Sequence, residues 1–245
     1  MTADFVAGSS APSFDELAEE LQSEMRGAAE TIRSQTSSSL DTHLIEARRC
    51  SMSVLKYLES SFSHSGDRSE SQNLRLLLII AFVQGCDSVE ELIVSGQYVK
   101  ACPAIRQDYE TITRLLELRE GKGTSGTNPN IRNAPKGSQR FYGQLSQVTH
   151  PKDPARLLNF LRSWERDATG LVVSHVPHFV KPLAAYLFYI HVWLLFELTR
   201  EALLLYAEMY GHGPSLDRAV LQFDKVFSAL EAAGMTFDVA PGQGV

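Results

Sequence analysis

Two stretches of the chain carry side chains whose types and spacing suit anion binding or acid–base chemistry. In SGQYVKACPAIRQDYETITRLLEL (Ser95–Leu118), Arg106 and Glu110 are four residues apart and touch if the stretch is helical. In SQRFYGQLSQVTHPKD (Ser138–Asp153), Tyr142, Ser146, Thr149 and His150 recur three and four residues apart and line one helix face. A solvated helix face ordinarily carries Lys and Glu. Hydroxyls and an imidazole suit a half-buried, hydrogen-bonded surface instead. A guanidinium offers a fork that fits phosphate or carboxylate, and a protonated histidine beside hydroxyls adds further donors. His150 stands before Pro151, so the helix should end there, with the imidazole at the negative end of the helix dipole. The plainer readings are a surface ion pair for Arg106–Glu110 and a helix-capping histidine for His150.

These residues need helices to position them. Val94, Tyr98, Cys102, Ile105, Tyr109, Ile112 and Leu116 form one apolar stripe at three- and four-residue spacing, which predicts a helix. Pro103 predicts a kink or a restart near Cys102, because it lacks the donor and crowds the preceding turn. Phe141, Leu145 and Val148 form the apolar edge of the second helix. Between the two lies GKGTSGTNPNIRNAPKG (Gly121–Gly137), a long Gly-, Pro- and Asn-rich connection. It is expected to act as a mobile flap over the Arg106–His150 region.

The rest of the chain also reads as helical. Ser13 and Glu16 make a capping-box pattern ahead of Phe14, Leu17, Leu21, Met25, Ala28 and Ile32. The serine-rich run Ser34–Ser39 should break or bend that helix. A second helix is expected from about Leu40 to Phe62. Leu74–Val83 is apolar all round and predicts a buried central helix, interrupted near Gly85–Ser88. Another short helix should follow Pro151. TGLVVSHV (Thr169–Val176) has strand character without a partner strand. Lys181–Tyr210 is the longest helix, ended by Gly211. Its apolar part, Leu183–Leu198, falls short of a bilayer span and is bounded or interrupted by charges, which favours a core helix and no membrane partner. His191 within it reads as a hydrogen-bonded core histidine. A last amphipathic helix opens at Ser215 or Asp217 and runs through Leu230.

The expected fold is therefore all-α, a multi-helix bundle around two central apolar helices, with one short extended or hairpin segment near 169–176. The expected organisation is a disordered tail over 1–13, a single helical domain over 14–233 and a flexible tail over 234–245.

At 245 residues and 44% hydrophobic, the chain can build a sizeable core. A net charge of −6 removes any global electrostatic case for nucleic acid. A local basic stretch remains in Arg119, Lys122, Arg132, Lys136 and Arg140. Cys50, Cys86 and Cys102 are isolated, which predicts reduced, buried thiols, a cytoplasmic setting and no cysteine-rich zinc site. No basic flank and apolar run mark a signal peptide. His175 and His178 form HxxH around Pro177 but have no neighbouring cysteines, so neither a metal nor another cofactor is expected. The chain has no Walker-type loop, GxGxxG, GxSxG, HExxH or EF-hand loop.

Arg106 and Glu110 on one helix, a variable loop, then Tyr142, Ser146, His150 and Pro151 resemble a group of uncharacterised, mostly bacterial helical proteins. That group is itself distantly similar to the HEPN superfamily. The resemblance spans roughly Leu76–Pro151. It implies a helical, often dimeric bundle in a superfamily that includes RNA-cleaving toxins, phage-defence proteins and non-catalytic members. Catalytic members carry an Arg and a His about four to six residues apart on one helix, and none of the seven histidines here follows an arginine at that spacing. The resemblance therefore implies an accessory or defence-type protein that binds RNA, a nucleotide or a protein partner, or a second copy of itself, through a groove near Arg106 and His150. The alternatives are a metal-independent ribonuclease, with Tyr142 and His150 moving protons and Arg106 stabilising charge, and a purely structural, dimerising bundle.

Overall fold

The computed structural model describes residues 12–62, 68–122, 126–136, 138–149, 164 and 176–235. Seven α-helices are found among them, with no strand: α1 (Phe14–Ser39), α2 (Thr42–Phe62), α3 (Glu70–Val94), α4 (Tyr98–Arg119), α5 (Gln139–Thr149), α6 (Lys181–Tyr210) and α7 (Pro214–Ala232). A short 3-10 turn, Ile131–Asn133, precedes α5. The chain is an all-α bundle. The expected extended segment lies outside the described residues except for Val176, and the expected helix after Pro151 lies outside them except for Trp164. The expected tails fall largely within 1–11 and 236–245, which also lie outside them.

Helix α6 organises the bundle. It packs on α2 and α7 to one side and on α3 and α4 to the other, and α5 joins through α4. Leu183, Leu187, Ile190, Leu194, Leu198, Ala202 and Leu205 have no accessible surface, and Val192, Leu195 and Leu203 on its other faces have none either. Burying each such leucine or isoleucine contributes about 1.5–3 kcal/mol. Pro182 sits in the first turn, where its missing N–H costs nothing, and Gly211 (φ 74°) ends the helix. At 30 residues α6 is long and apolar enough to span a bilayer, but 78% of its most apolar window is buried inside the protein. The apolar surface is thus spent on neighbouring helices, and burial, rather than length, supports the core-helix reading.

The second apolar helix departs from expectation. On α3, Ile79, Phe82, Cys86, Val89 and Ile93 face inward, whereas Leu74, Leu77 and Ile80 are 42%, 61% and 44% exposed. It is a boundary helix with an apolar outer face. It also runs unbroken through Gly85–Ser88 and starts from a capping box in which Ser69 and Gln72 bond reciprocally. Helix α1 begins with the expected Ser13–Glu16 box. It continues through the serine run, where Ser38 and Ser39 return hydrogen bonds to the carbonyls of Gln35 and Thr36. Tertiary contacts outweigh serine's weak helix preference there: Ile32 is buried, and Arg33 pairs with Glu91 of α3. The first half of α1 has no such support, and Phe14 is 91% exposed. Helix α4 passes through Pro103 as one helix rather than restarting. The proline lies in its second turn, where only the Val99 carbonyl loses its partner.

The α3–α4 turn sets where α4 begins. Gly96 has φ +77°, its N–H bonds the Ile93 carbonyl (3.2 Å), and the Gln97 N–H bonds that of Leu92 (2.8 Å). This is a Schellman closure. The same pattern recurs after α4, where Gly121 has φ +66° and Gly121 and Lys122 bond Leu118 and Glu117. The surroundings differ. A Cβ at Gly96 would meet Ile32 Cδ1 at 2.9 Å and the His178 carbonyl at 3.3 Å, while one at Gly121 would meet nothing. Both alanine substitutions should incur the left-handed backbone penalty of about 1–2 kcal/mol. Gly96→Ala should lose about a further 1 kcal/mol from overpacking. Urea denaturation of the two variants measures the difference, and equal losses would show that the α1–α3 corner gives way freely.

Candidate functional site

Helix α4 carries polar groups on two sides. On its outer side Arg106 and Glu110 meet Tyr142 of α5. Arg106 Nε donates to Glu110 Oε1 at 3.0 Å, and its Nη2 donates to the Tyr142 hydroxyl at 2.7 Å. That hydroxyl in turn donates to Glu110 Oε1 at 3.0 Å. The guanidinium carbon also lies 4.8 Å from the centre of the Tyr142 ring. One phenol thus accepts from the cation and donates to the anion, closing a three-membered ring of bonds across the α4–α5 seam. The Arg106 and Glu110 side chains keep 19% and 33% of their surface. This is a braced, partly open pair rather than the isolated surface pair of the plainer reading.

A second tyrosine anchors the seam from beneath. Tyr109 is fully buried, and its ring lies 5.4 Å from that of Tyr142. Its hydroxyl is 2.6 Å from Ser138 Oγ. Ser138 Oγ donates to the Pro135 carbonyl at 2.5 Å, so Tyr109 supplies the proton in the first bond. Burial pushes the Tyr109 hydroxyl pKa up, with the Ser138 bond opposing. Ser146 stands one turn beyond Tyr142, and its enclosed Oγ has no hydrogen-bond partner. His150, one turn further, lies outside the described residues, as does the side chain of Thr149. The structure therefore brings together Arg106, Glu110 and Tyr142 of the expected site, with Ser146 on the adjoining turn of α5.

The connection between α4 and α5 is a strap over its described part, 126–136. Glu117, 3% exposed, accepts from the Asn130 backbone N–H at 2.7 Å and from Asn133 Nδ2 at 2.8 Å. It also pairs with Arg114 at 2.9 Å, and Arg114 donates to the Thr127 carbonyl. Ala134 is buried. The described part of the expected flap is tied to the C-terminal half of α4, because one buried carboxylate satisfies two donors of the loop.

The inner side of α4 faces a cluster of charged side chains, many of them buried, of which His191 was singled out above as a core residue. His191 of α6 has no accessible surface. Its Nε2 lies 3.2 Å from Glu90 Oε1 of α3, in keeping with a hydrogen-bonded core histidine. Its Nδ1 lies 3.9 Å from Asp108 Oδ2, and neither of those two atoms has a hydrogen bond. Arg48 of α2 completes the set, bonding Glu90 at 2.8 Å and Asp87 at 3.1 Å. One turn-set lower, Arg119 bonds Glu201 at 2.5 Å and Arg200 bonds Glu197 at 2.7 Å. Burial pushes the carboxyls of Asp108 and Glu197 up to about 7, against the pull of His191 and Arg200 respectively. A signal existed for these acids. Asp108 falls three after Ile105 and four before Ile112, in core register, and Glu197 and Glu201 stand inside the apolar run of α6.

Cys50, Cys86 and Cys102 are free and buried, and burial pushes the latter two thiols up to about 12. Among the described residues no group of three or more His, Cys, Asp or Glu could hold a metal; His175 of the HxxH pair lies outside them. The buried acids and thiols are sealed from solvent and suit a structural role. The Arg106–Glu110–Tyr142 seam is polar and partly open to solvent.

The Asp108 carboxyl makes stability depend on pH. Below about pH 4 it is neutral in both folded and unfolded chains and costs nothing. As pH rises the unfolded chain releases its proton first, so stability falls until the folded-state value of about 7 is passed. Asp108→Asn should therefore gain on the native protein by on the order of 2 kcal/mol between pH 4.5 and pH 8. Urea denaturation at both pH values measures this, and a pH-independent difference would contradict it. No family model matches the chain, and neither does any curated protein or solved structure.

Proposed function

We propose that the chain is a cytoplasmic, HEPN-like helical binding protein of the accessory or defence type, without catalysis of its own. Its ligand is a phosphate-bearing one, RNA or a nucleotide, received at the α4–α5 seam. The observation that carries this reading is the convergence of Arg106, Glu110 and Tyr142, from two helices, on a partly open edge of the bundle. A guanidinium pre-oriented by two bonds loses little freedom when it meets a phosphate. Glu110 holds the fork in place, and a competing anion must displace or share that contact, which favours a ligand with several charges over a single ion. The Tyr142 hydroxyl is committed to both partners, which supports binding over a proton-transfer role.

Fluorescence anisotropy with a labelled single-stranded RNA, without metal, tests this at about 50 and 200 mM salt. Binding should weaken steeply as salt rises. Arg106→Ala should weaken it at least about tenfold, the loss of one charge-assisted contact, while circular dichroism shows the helices intact. The RNA should remain uncut. Salt-insensitive binding, or binding that Arg106→Ala leaves unchanged, would overturn the assignment, and cleavage would replace it with the ribonuclease reading.

A further inference from the structure

The flank of α5 opposite the Arg106 seam faces a concavity of about 510 Å³, bounded by the start of α2, by α5, by α6 and by Ala233 at the end of α7. That volume falls in the range of small-molecule sites. Its walls are aromatic: Phe141 of α5 and Tyr186 and Tyr189 of α6, with ring centres 6.2 and 6.4 Å from Phe141. Arg140 stands at the edge with its guanidinium carbon 4.9 Å from the centre of the Phe141 ring. It has no acidic partner among the described residues, whereas Arg48, Arg49, Arg106, Arg114 and Arg119 are all paired. Gln144 accepts from the Tyr186 hydroxyl through its carbonyl oxygen, and its amide donors make no bond within the described protein. Asp41, the one acid on the lining, accepts from the His43 and Leu44 N–H groups at the start of α2, where the helix dipole favours its charge. Burial also pushes the Tyr186 and Tyr189 hydroxyls up, the former to about 12, so both walls are neutral at physiological pH and do not repel an anion.

We infer that this concavity is a binding site for a small aromatic anion, a flat ring bearing one phosphate or carboxylate group. The ring lies among Phe141, Tyr186 and Tyr189, and the charge meets the guanidinium of Arg140 and the Gln144 amide. Stacking on aromatic faces and a guanidinium pre-placed over Phe141 favour a ligand that has both features over one that has either. The site shares α5 with the Arg106 seam but none of the seam's three polar residues.

The protein carries its own reporters. Its two tryptophans both adjoin the walls: Trp164 lies 4.9 Å from Tyr186 and Trp193 lies 5.9 Å from Phe141, ring centre to ring centre. Titrations of the full chain, excited at the tryptophan edge, would use phenyl phosphate and benzoate as ring anions, benzyl alcohol as the ring alone and inorganic phosphate as the charge alone. A saturable change with at least one ring anion is expected, at least about tenfold tighter than with either control. Preference between phenyl phosphate and benzoate identifies the charged group. Arg140→Gln, an exposed substitution, should weaken ring-anion binding at least tenfold, and Arg26→Gln, at an exposed position on α1, should leave it unchanged. No saturable response up to about 10 mM, equal response to inorganic phosphate, or equal affinity in Arg140→Gln would each overturn the inference. An equal loss in Arg26→Gln would overturn it too, by reducing the effect to one of overall charge.

Discussion

A helix buried on every side cannot carry an unpaired charge, and α6 carries several. Glu197 pairs with Arg200 one turn along α6 itself, but His191, Glu201 and Glu208 find their partners on neighbouring helices, and leaving an ionised group unpaired in the core costs several kcal/mol. They do so across separate interfaces: His191 to Glu90 of α3, Glu201 to Arg119 of α4, and Glu208 to Arg75 of α3, whose guanidinium is almost wholly buried. Apolar packing alone tolerates sliding of one helix on another. These directional contacts do not, so they fix the register of α3 and α4 against α6.

That register reaches the surface through α4. Its inner side is tied to α6, its C-terminal half holds the strap through Glu117, and its outer side meets α5 through Arg106, Glu110 and Tyr142. Helix α5 is only eleven residues long, too short to be stable alone in water. It is held by Phe141, Leu145 and Val148 beneath and by the polar ring at its edge. Both candidate sites lie on its two flanks, so the placement of α5 governs both.

Much of this was legible in the amino-acid order, for identifiable reasons. The bounds of α6 were plain because a lysine and proline open a long apolar run and a glycine closes it. Arg106–Glu110 was legible because spacing alone determines contact within a helix. Tyr142 and Ser146 could be placed on one face, but that this face meets Arg106 is a tertiary fact no periodicity contains. The serine run of α1 and the Gly85 region of α3 misled, since local propensities of a few tenths of a kcal/mol yield to packing on α3 and α6. The exposure of Leu74, Leu77 and Ile80 was hidden for the opposite reason: an all-apolar stretch gives no clue to which side is covered. The strap was invisible because its anchor, Glu117, looks like any acid on a helix flank.

The account rests most heavily on the bond between Arg106 and Tyr142 as the link that seats α5 on α4. A double-mutant cycle with Arg106→Ala, Tyr142→Phe and the pair, read by urea denaturation, measures that link directly. Charge-assisted and partly buried, it should show a coupling energy of about 1–2 kcal/mol. Strictly additive losses would mean that the two side chains do not act on each other in solution, and the seam as described would not exist.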